Sequence, residues 1–215
     1  MTETLQRREI VQTVRELQNH GLNHGNSGNV SVRSQYGLFI TPTGCNAVNA
    51  TEEGIVQIDM DGKVVGDGIP SSEWHMHLAI MRAFPAAKAV IHTHADACVA
   101  LSCLREPLPA FHYMVAAFGG NNVRCARYAT FGTSDLADSA VEALQDRTAC
   151  LLANHGMIAM GVSLEQTLGT TVKLETLARQ YLMALQGGAP KMLSDEEMTK
   201  VGNRYKNYGV GTLEG

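Results

Sequence analysis

The 215-residue chain has no excess of basic residues: 17 Lys and Arg stand against 21 Asp and Glu, a formal net charge of −4. A nucleic-acid binder carries a basic footprint, so nucleic acid is not an expected partner. No apolar stretch approaches the roughly 20 residues of a membrane span, and the start, Met1–Glu9, carries no apolar signal core. The expectation is a cytoplasmic chain with no membrane partner. Five cysteines (45, 98, 103, 125, 150) are odd in number and form no Cys-x-x-Cys pair. That argues against a disulfide frame or a thiolate metal site and for reduced, mostly buried thiols. No repeat, low-complexity tract or linker divides the chain, so the length is read as a single domain over 1–215, with a flexible polar tail from about 204. What is present, 45% hydrophobic and 18% charged residues, is the ordinary composition of a soluble globular enzyme.

Ile10, Val14 and Leu17 recur at helical spacing and Gly21 supplies a stop, predicting a helix over 4–20. Residues 22–29 are too rich in Gly and Asn for regular structure. Val30–Arg33 and Gly37–Thr41 read as a hairpin, and Ile55–Asp59 as a strand followed by an Asp61-Gly62 turn. Pro70-Ser71-Ser72 opens a helix over 72–83, ended before Pro85. A strand ending in His92 and His94 follows, then a helix over 96–104. Strand-like pieces surround Phe111–Tyr113 and Val123–Cys125. Thr133 or Ser134 caps a helix to Leu144, and two strands flank His155. Ser163 with Gln166, and Ser194 with Glu197, form capping-box patterns for two further helices, the first ended by Gly187-Gly188. The fold class is α/β of the α+β type: a central, mostly antiparallel sheet covered by helices.

Within that pattern the most informative stretch is Ile91-His92-Thr93-His94. On a strand, residues two apart point the same way with Cα atoms roughly 6.5–7 Å apart, so two imidazoles can converge on one ion. His155, in Asn154-His155-Gly156, ends another apolar run, and Glu73 lies upstream in Ser71-Ser72-Glu73. Three neutral nitrogens and one anionic oxygen suit Zn²⁺ or a similar divalent cation. Taken singly, any of these histidines is more often a satisfied structural or surface residue than a ligand. His75 and His77 are also two apart, but on a helix that spacing turns by about 200°, so they are read as non-ligands.

A second group comprises small-residue loops: Gly28-Asn29, Thr43-Gly44 and Ser71-Ser72. The last lies at a predicted helix start, where unpaired amides and the helix dipole favour an anion. Each alone is an ordinary turn or cap; together, beside Glu73, they form a candidate phosphate site. Tyr113 and Tyr208 are candidate proton donors, although a tyrosine in such a segment is usually half-buried packing and composition does not select them.

Seven motifs in order along the chain resemble the class II aldolase/adducin family, and within it the L-fuculose-1-phosphate aldolase branch. They are Gly28-Asn29-Val30-Ser31-Val32, Thr41-Pro42-Thr43-Gly44, Pro70-Ser71-Ser72-Glu73-Trp74, His92-Thr93-His94, His112–Ala117, Tyr128–Thr133 and Asn154-His155-Gly156. The resemblance implies a sheet between helical layers and a cyclic homotetramer with active sites at subunit boundaries. It implies a catalytic Zn²⁺, with Mn²⁺ or Co²⁺ as alternatives, on Glu73, His92, His94 and His155. It implies a substrate phosphate on Gly28, Asn29, Thr43, Gly44, Ser71 and Ser72. It also implies Glu73 as acid/base and Tyr113 and Tyr208 as residues reaching a site at the boundary.

The implied reaction is reversible cleavage of a ketose 1-phosphate to dihydroxyacetone phosphate and an aldehyde. L-fuculose 1-phosphate and a 5-deoxy- or 5-methylthio-ribulose 1-phosphate are the candidate substrates. A same-fold sugar-phosphate 4-epimerase is disfavoured, because that branch has an aspartate where Glu73 stands. A methylthioribulose-1-phosphate dehydratase is a further alternative, and an adducin-like module without chemistry lacks the histidines. Phe118 replaces a smaller residue of the resembled aldolase and Arg127 a proline. If Phe118 lines the pocket, the aldehyde end is less polar; otherwise it packs in the core.

Overall fold

A computed structural model describes residues 2–207. Among them, eight strands form one sheet in the order β4-β3-β2-β1-β5-β8-β7-β6. They are β1 (Asn29–Arg33), β2 (Gly37–Ile40), β3 (Val56–Asp59), β4 (Val64–Val65), β5 (Ala89–Thr93), β6 (Cys125–Ala126), β7 (Ala149–Leu152) and β8 (Gly156–Gly161). Every pairing is antiparallel except β6 with β7. The mostly antiparallel expectation therefore holds.

Among the described residues there are six α-helices: α1 (Glu3–Asn19), α2 (Trp74–Ala83), α3 (Asp96–Ser102), α4 (Ser134–Ala143) and α5 (Leu164–Gln186) pack on the sheet, and α6 (Asp195–Asn207) packs on the segment Tyr113–Phe118. The caps read from the sequence are made. Thr133 accepts from Leu136 N, Ser163 from Gln166 N and Ser194 from Glu197 N, each satisfying an amide that the helix leaves unpaired.

Alternation along the strands separates two cores. Val30, Val32, Ile91, Leu151 and Met157 pack with residues of α1, α3 and α5. Val90, Cys150, Leu152 and Ile158 pack with residues of α2 and α4. Period-two side chains thus bury both faces of the central strands, which places helical layers on both sides. Phe118 belongs to the α5-side core and is 1% exposed.

Three local expectations change. Phe111–Tyr113 is not a strand; Tyr113–Phe118 form a 3₁₀ helix whose start is fixed by the His112 ring accepting from Met114 N. Here a local side-chain bond overrides the β preference of aromatic residues. The helix after Pro70 begins at Trp74, with Ser71–Glu73 forming the turn that enters it. At the other end, α6 continues through Asn207, past the point where a tail was expected. Tyr208 lies outside the described residues. Among those described, no helix is long and apolar enough to cross a membrane.

Candidate metal centre and substrate cleft

Three chain segments meet at one end of the central strands. His92 is the fourth residue of β5, on the same sheet face as Val90, and so points towards the α2 layer. His94 lies one residue beyond the strand. His155 sits in the turn between β7 and β8, and Glu73 occupies the N-cap position of α2.

The His155 turn depends on local backbone chemistry. Asn154 adopts φ 54°, a left-handed conformation that Asn tolerates better than most residues. Its amide donates to Ser102 O and the His155 amide to Ser102 Oγ, tying the turn to the end of α3. Gly156 must lack a side chain, because a Cβ there would stand 2.4 Å from Thr93 O. Gly28 is constrained likewise: φ is +77°, and a Cβ would stand 2.7 Å from His92 O.

The candidate ligand atoms of Glu73, His92, His94 and His155 all lie within 4.8 Å of one another. His92 Nε2 is 3.1 Å from Glu73 Oε2, His155 Nε2 is 3.2 Å from Glu73 Oε1, and His94 Nε2 is 3.0 Å from His92 Nε2. The three rings meet edge-on, with centroids 4.8–4.9 Å apart. Donors on a tetrahedron with bonds of about 2.0–2.1 Å would be roughly 3.3 Å apart, close to this spacing.

The donor chemistry also fits a cation. His92 Nδ1 donates to Met157 O at 2.8 Å, which leaves the Nε2 lone pair facing inward in the neutral ring. Glu73 Oε1 is buried without a hydrogen-bond partner, as expected of an oxygen waiting on a positive charge.

Burial works to raise the Glu73 carboxyl, but the charges and hydrogen bonds of His92, His155 and Asn29 outweigh it and hold the group well below the carboxylate range. Burial and the neighbouring His92 push both His94 and His155 down to about 4. Burial opposes charge on His92 as well, but contact with Glu73 overcomes it and raises that group. Neutral His94 and His155 beside an ionised carboxylate are in the protonation states that ligate a divalent ion, and a bound cation would take the place of the proton that Glu73 favours on His92.

The cluster opens onto a cleft of about 410 Å³. Gly28, Asn29, Thr43, Gly44, Ser71 and Ser72 all line it, together with Glu73, His94 and His155. The sequence-predicted phosphate residues are therefore gathered beside the candidate metal ligands. No lysine or arginine is among the lining residues. An anion here would rely on hydroxyls, free amides and the N-terminus of α2. Two amides are already engaged, Thr43 N with Ile69 O and Ser71 N with Thr41 O, so these residues can offer only their hydroxyls.

Other expectations fall away from the cleft. Tyr113 is half exposed and lines a separate groove with Lys173, Arg204 and Tyr205. Arg127 is exposed and pairs with Glu142. Phe118, buried in the core, does not line the cleft, so its packing reading holds. In the opposite direction, Tyr128, Ala129, Phe131 and Asn154 line the cleft with no role assigned from sequence. Tyr128 and Phe131 stand in a recognised motif, but periodicity carries no signal for exposed aromatics on an irregular loop.

The comparisons with known proteins agree with this geometry. Residues 8–182 match the model of the Class II Aldolase and Adducin N-terminal domain. The chain is 48% identical to an L-fuculose phosphate aldolase of Escherichia coli O157:H7, covering 94% of this chain and 95% of that one. It is 45% identical to a 5-methylthioribulose-1-phosphate/5-deoxyribulose-1-phosphate aldolase of Rhodospirillum rubrum, over 94% and 92% of the two chains. A solved L-fuculose 1-phosphate aldolase superposes with a TM-score of 0.92 at 39% identity, over 96% of this chain and 98% of that one. With a family model spanning most of its length and close relatives along nearly all of it, the chain belongs to the class II aldolase and adducin N-terminal domain family.

Proposed function

We propose that this protein is a class II aldolase that reversibly cleaves a ketose 1-phosphate to dihydroxyacetone phosphate and an aldehyde. The single observation behind the reading is the convergence of three imidazoles on Glu73, with its orphaned Oε1, at the floor of a cleft rimmed by hydroxyls and glycines. Relatives named for L-fuculose phosphate and for 5-methylthioribulose or 5-deoxyribulose 1-phosphate support that substrate class.

In this proposal His92, His94, His155 and Glu73 hold Zn²⁺, with Mn²⁺ or Co²⁺ as substitutes. The ion, when bound, acts as a Lewis acid that stabilises the negative charge left by carbon–carbon cleavage. The chain's own groups do the rest. Hydroxyls of Thr43, Ser71 and Ser72, with the backbone at Gly28, Asn29 and Gly44, fix the phosphate and so the reacting carbons. In cleavage the C4 hydroxyl gives up its proton as the aldehyde forms, and one proton returns to the enediolate carbon through Glu73 acting as the carboxylic acid; in condensation the ionised Glu73 carboxylate removes that same carbon-bound proton. Tyr128, Ala129 and Phe131 give the cleft an apolar wall suited to an aldehyde end with few hydroxyls.

Tyr113 faces away from the cleft of its own chain, which accords with a homotetramer in which Tyr113 and Tyr208 serve a neighbouring subunit's site. Residues 1–215 act in this reading as one domain with a C-terminal tail, in the cytoplasm.

The test is a retro-aldol panel of L-fuculose, ribulose, 5-deoxyribulose and methylthioribulose 1-phosphates on the metal-loaded protein, following dihydroxyacetone phosphate. Product from at least one is expected. Metal-loaded protein that releases none from any of them would overturn the aldolase reading.

A further inference from the structure

His77 is buried completely on α2, one helical turn from Glu73, and is not among the candidate ligands. At four residues' spacing the two side chains share a helix face. Asn29 stands between their ends. Asn29 Nδ2 donates to Glu73 Oε2 at 3.0 Å, and Asn29 Oδ1 is 2.5 Å from His77 Nε2. On the other side of the ring, Ser31 Oγ is 2.7 Å from His77 Nδ1. Ser31, His77 and Asn29 are all buried, so none of these partners can be replaced by bulk water.

The protons in this file can run in only one direction. An ionised Glu73 only accepts, so the Asn29 atom facing it must be the NH₂ group. Asn29 Oδ1 then faces His77 Nε2, which must carry a hydrogen. Burial and the neighbouring His92 push His77 down to about 3, so the ring is neutral and Nδ1 is bare. The Ser31 hydroxyl donates to it. With the other tautomer, the Nε2 lone pair would oppose the Asn29 carbonyl. The amide would then turn over and set that carbonyl against the Glu73 carboxylate.

We propose that His77, held as its Nε2–H tautomer by Ser31, is a positioning residue that acts through Asn29 to orient Glu73 for proton transfer. The inference rests on the acid/base reading of Glu73. Supporting shells of this kind change metal affinity or activity by about 10- to 100-fold when broken.

Two substitutions separate positioning from bulk packing. In His77→Gln the amide nitrogen can take the place of Nε2 and still donate to Asn29, so kcat is expected within about threefold of wild type. In His77→Asn the shorter side chain reaches only the Nδ1 position, and kcat is expected to fall about 10- to 100-fold with KM for the ketose phosphate nearly unchanged. Equal losses in the two variants, or none in His77→Asn, would overturn the proposal.

A second readout needs neither variant nor turnover. Long-range proton–nitrogen NMR of the wild-type protein should show His77 neutral and protonated on Nε2. A proton on Nδ1 would overturn the inference even if the protein proves to be a working aldolase. If wild type instead cleaves no ketose phosphate, the aldolase reading fails by itself, and the NMR result still judges the tautomer.

Discussion

The two faces of the central sheet use buried polar groups in different ways. On the α5 side they mostly close local backbone bonds. Thr13 donates to Glu9 O, Thr167 to Ser163 O and Thr171 to Thr167 O, while Glu175 accepts from the Ala97 and Cys98 amides at the start of α3. Thr93 Oγ1, buried without a partner, is an exception. On the α2 side, polar side chains instead reach one another, from Ser31 through His77 and Asn29 to Glu73. That file ends at a carboxylate whose other oxygen, Oε1, has no hydrogen bond and faces His155 Nε2 at 3.2 Å. One face satisfies its polar atoms to build architecture, whereas the other gathers them around an unmet charge. A single strand serves both, since Val30 and Val32 of β1 pack towards α5 while Asn29 and Ser31 face α2.

The sharpest way to break this contrast is His92→Ala. It removes a fully buried nitrogen that faces both Glu73 and His94. Bound metal, measured by elemental analysis, should be lost, and dihydroxyacetone phosphate release should fall by about 10³-fold or more. Glu73→Gln asks for less, because it keeps a ligating oxygen but cannot take up or return a proton as a carboxylate does. Metal is expected to remain while turnover falls by about 10²- to 10⁴-fold. Wild-type-like turnover by that variant would remove Glu73 from the chemistry.

The opposite face should respond in another currency. Ile91 sits between His92 and Val90 in β5, is fully buried and packs towards α5. Ile91→Ala should cost about 2–5 kcal/mol of unfolding free energy in denaturant titrations, and metal affinity should change little. A large loss of metal would show that the faces are not separable. Ser72→Ala, at the exposed rim of the cleft, should be the mildest of the substitutions. It removes one hydroxyl worth about 0.5–1.5 kcal/mol, so KM for the ketose phosphate should rise several-fold with kcat nearly constant.

The legible part of this molecule was the part written in periodicity and spacing. Ile10, Val14 and Leu17 mark α1, the capping residues mark α4, α5 and α6, and alternation marks the strands. The His92/His94 pair stood out because the strand's period and the spacing of two ligands coincide. His77 was harder to place. Helical geometry correctly separated it from His75, which is exposed and stacks on Trp74, but could not show that Asn29, 48 positions away, would meet its ring. That contact depends on the β1–β5 pairing, which sets Asn29 opposite His92. The cleft aromatics Tyr128 and Phe131 stayed silent for the same reason, being brought in by tertiary structure. Phe118 shows the converse, a departure from the family pattern that is absorbed by packing.

The smallest expected effect, and the one most specific to the α2 face, is its response to acid in metal-free protein. His94 and His155 are held at about 4 in the folded chain, against 6.5 for an unperturbed ring. Between those values the unfolded chain binds protons that the folded chain refuses. Unfolding therefore takes up protons, and stability falls as pH drops from 6.5 towards 4. His92, raised by Glu73, acts in the opposite sense and softens the slope. Thermal unfolding in excess chelator should show a falling melting temperature across this window, and His94→Gln should flatten the fall by removing one of three depressed rings, His77 at about 3 being the third. Ile91→Ala should lower the whole curve without changing its slope, because it removes packing and no titrating group. An unchanged slope in His94→Gln would mean that the convergence of rings on Glu73 is not what makes this end of the sheet sensitive to acid.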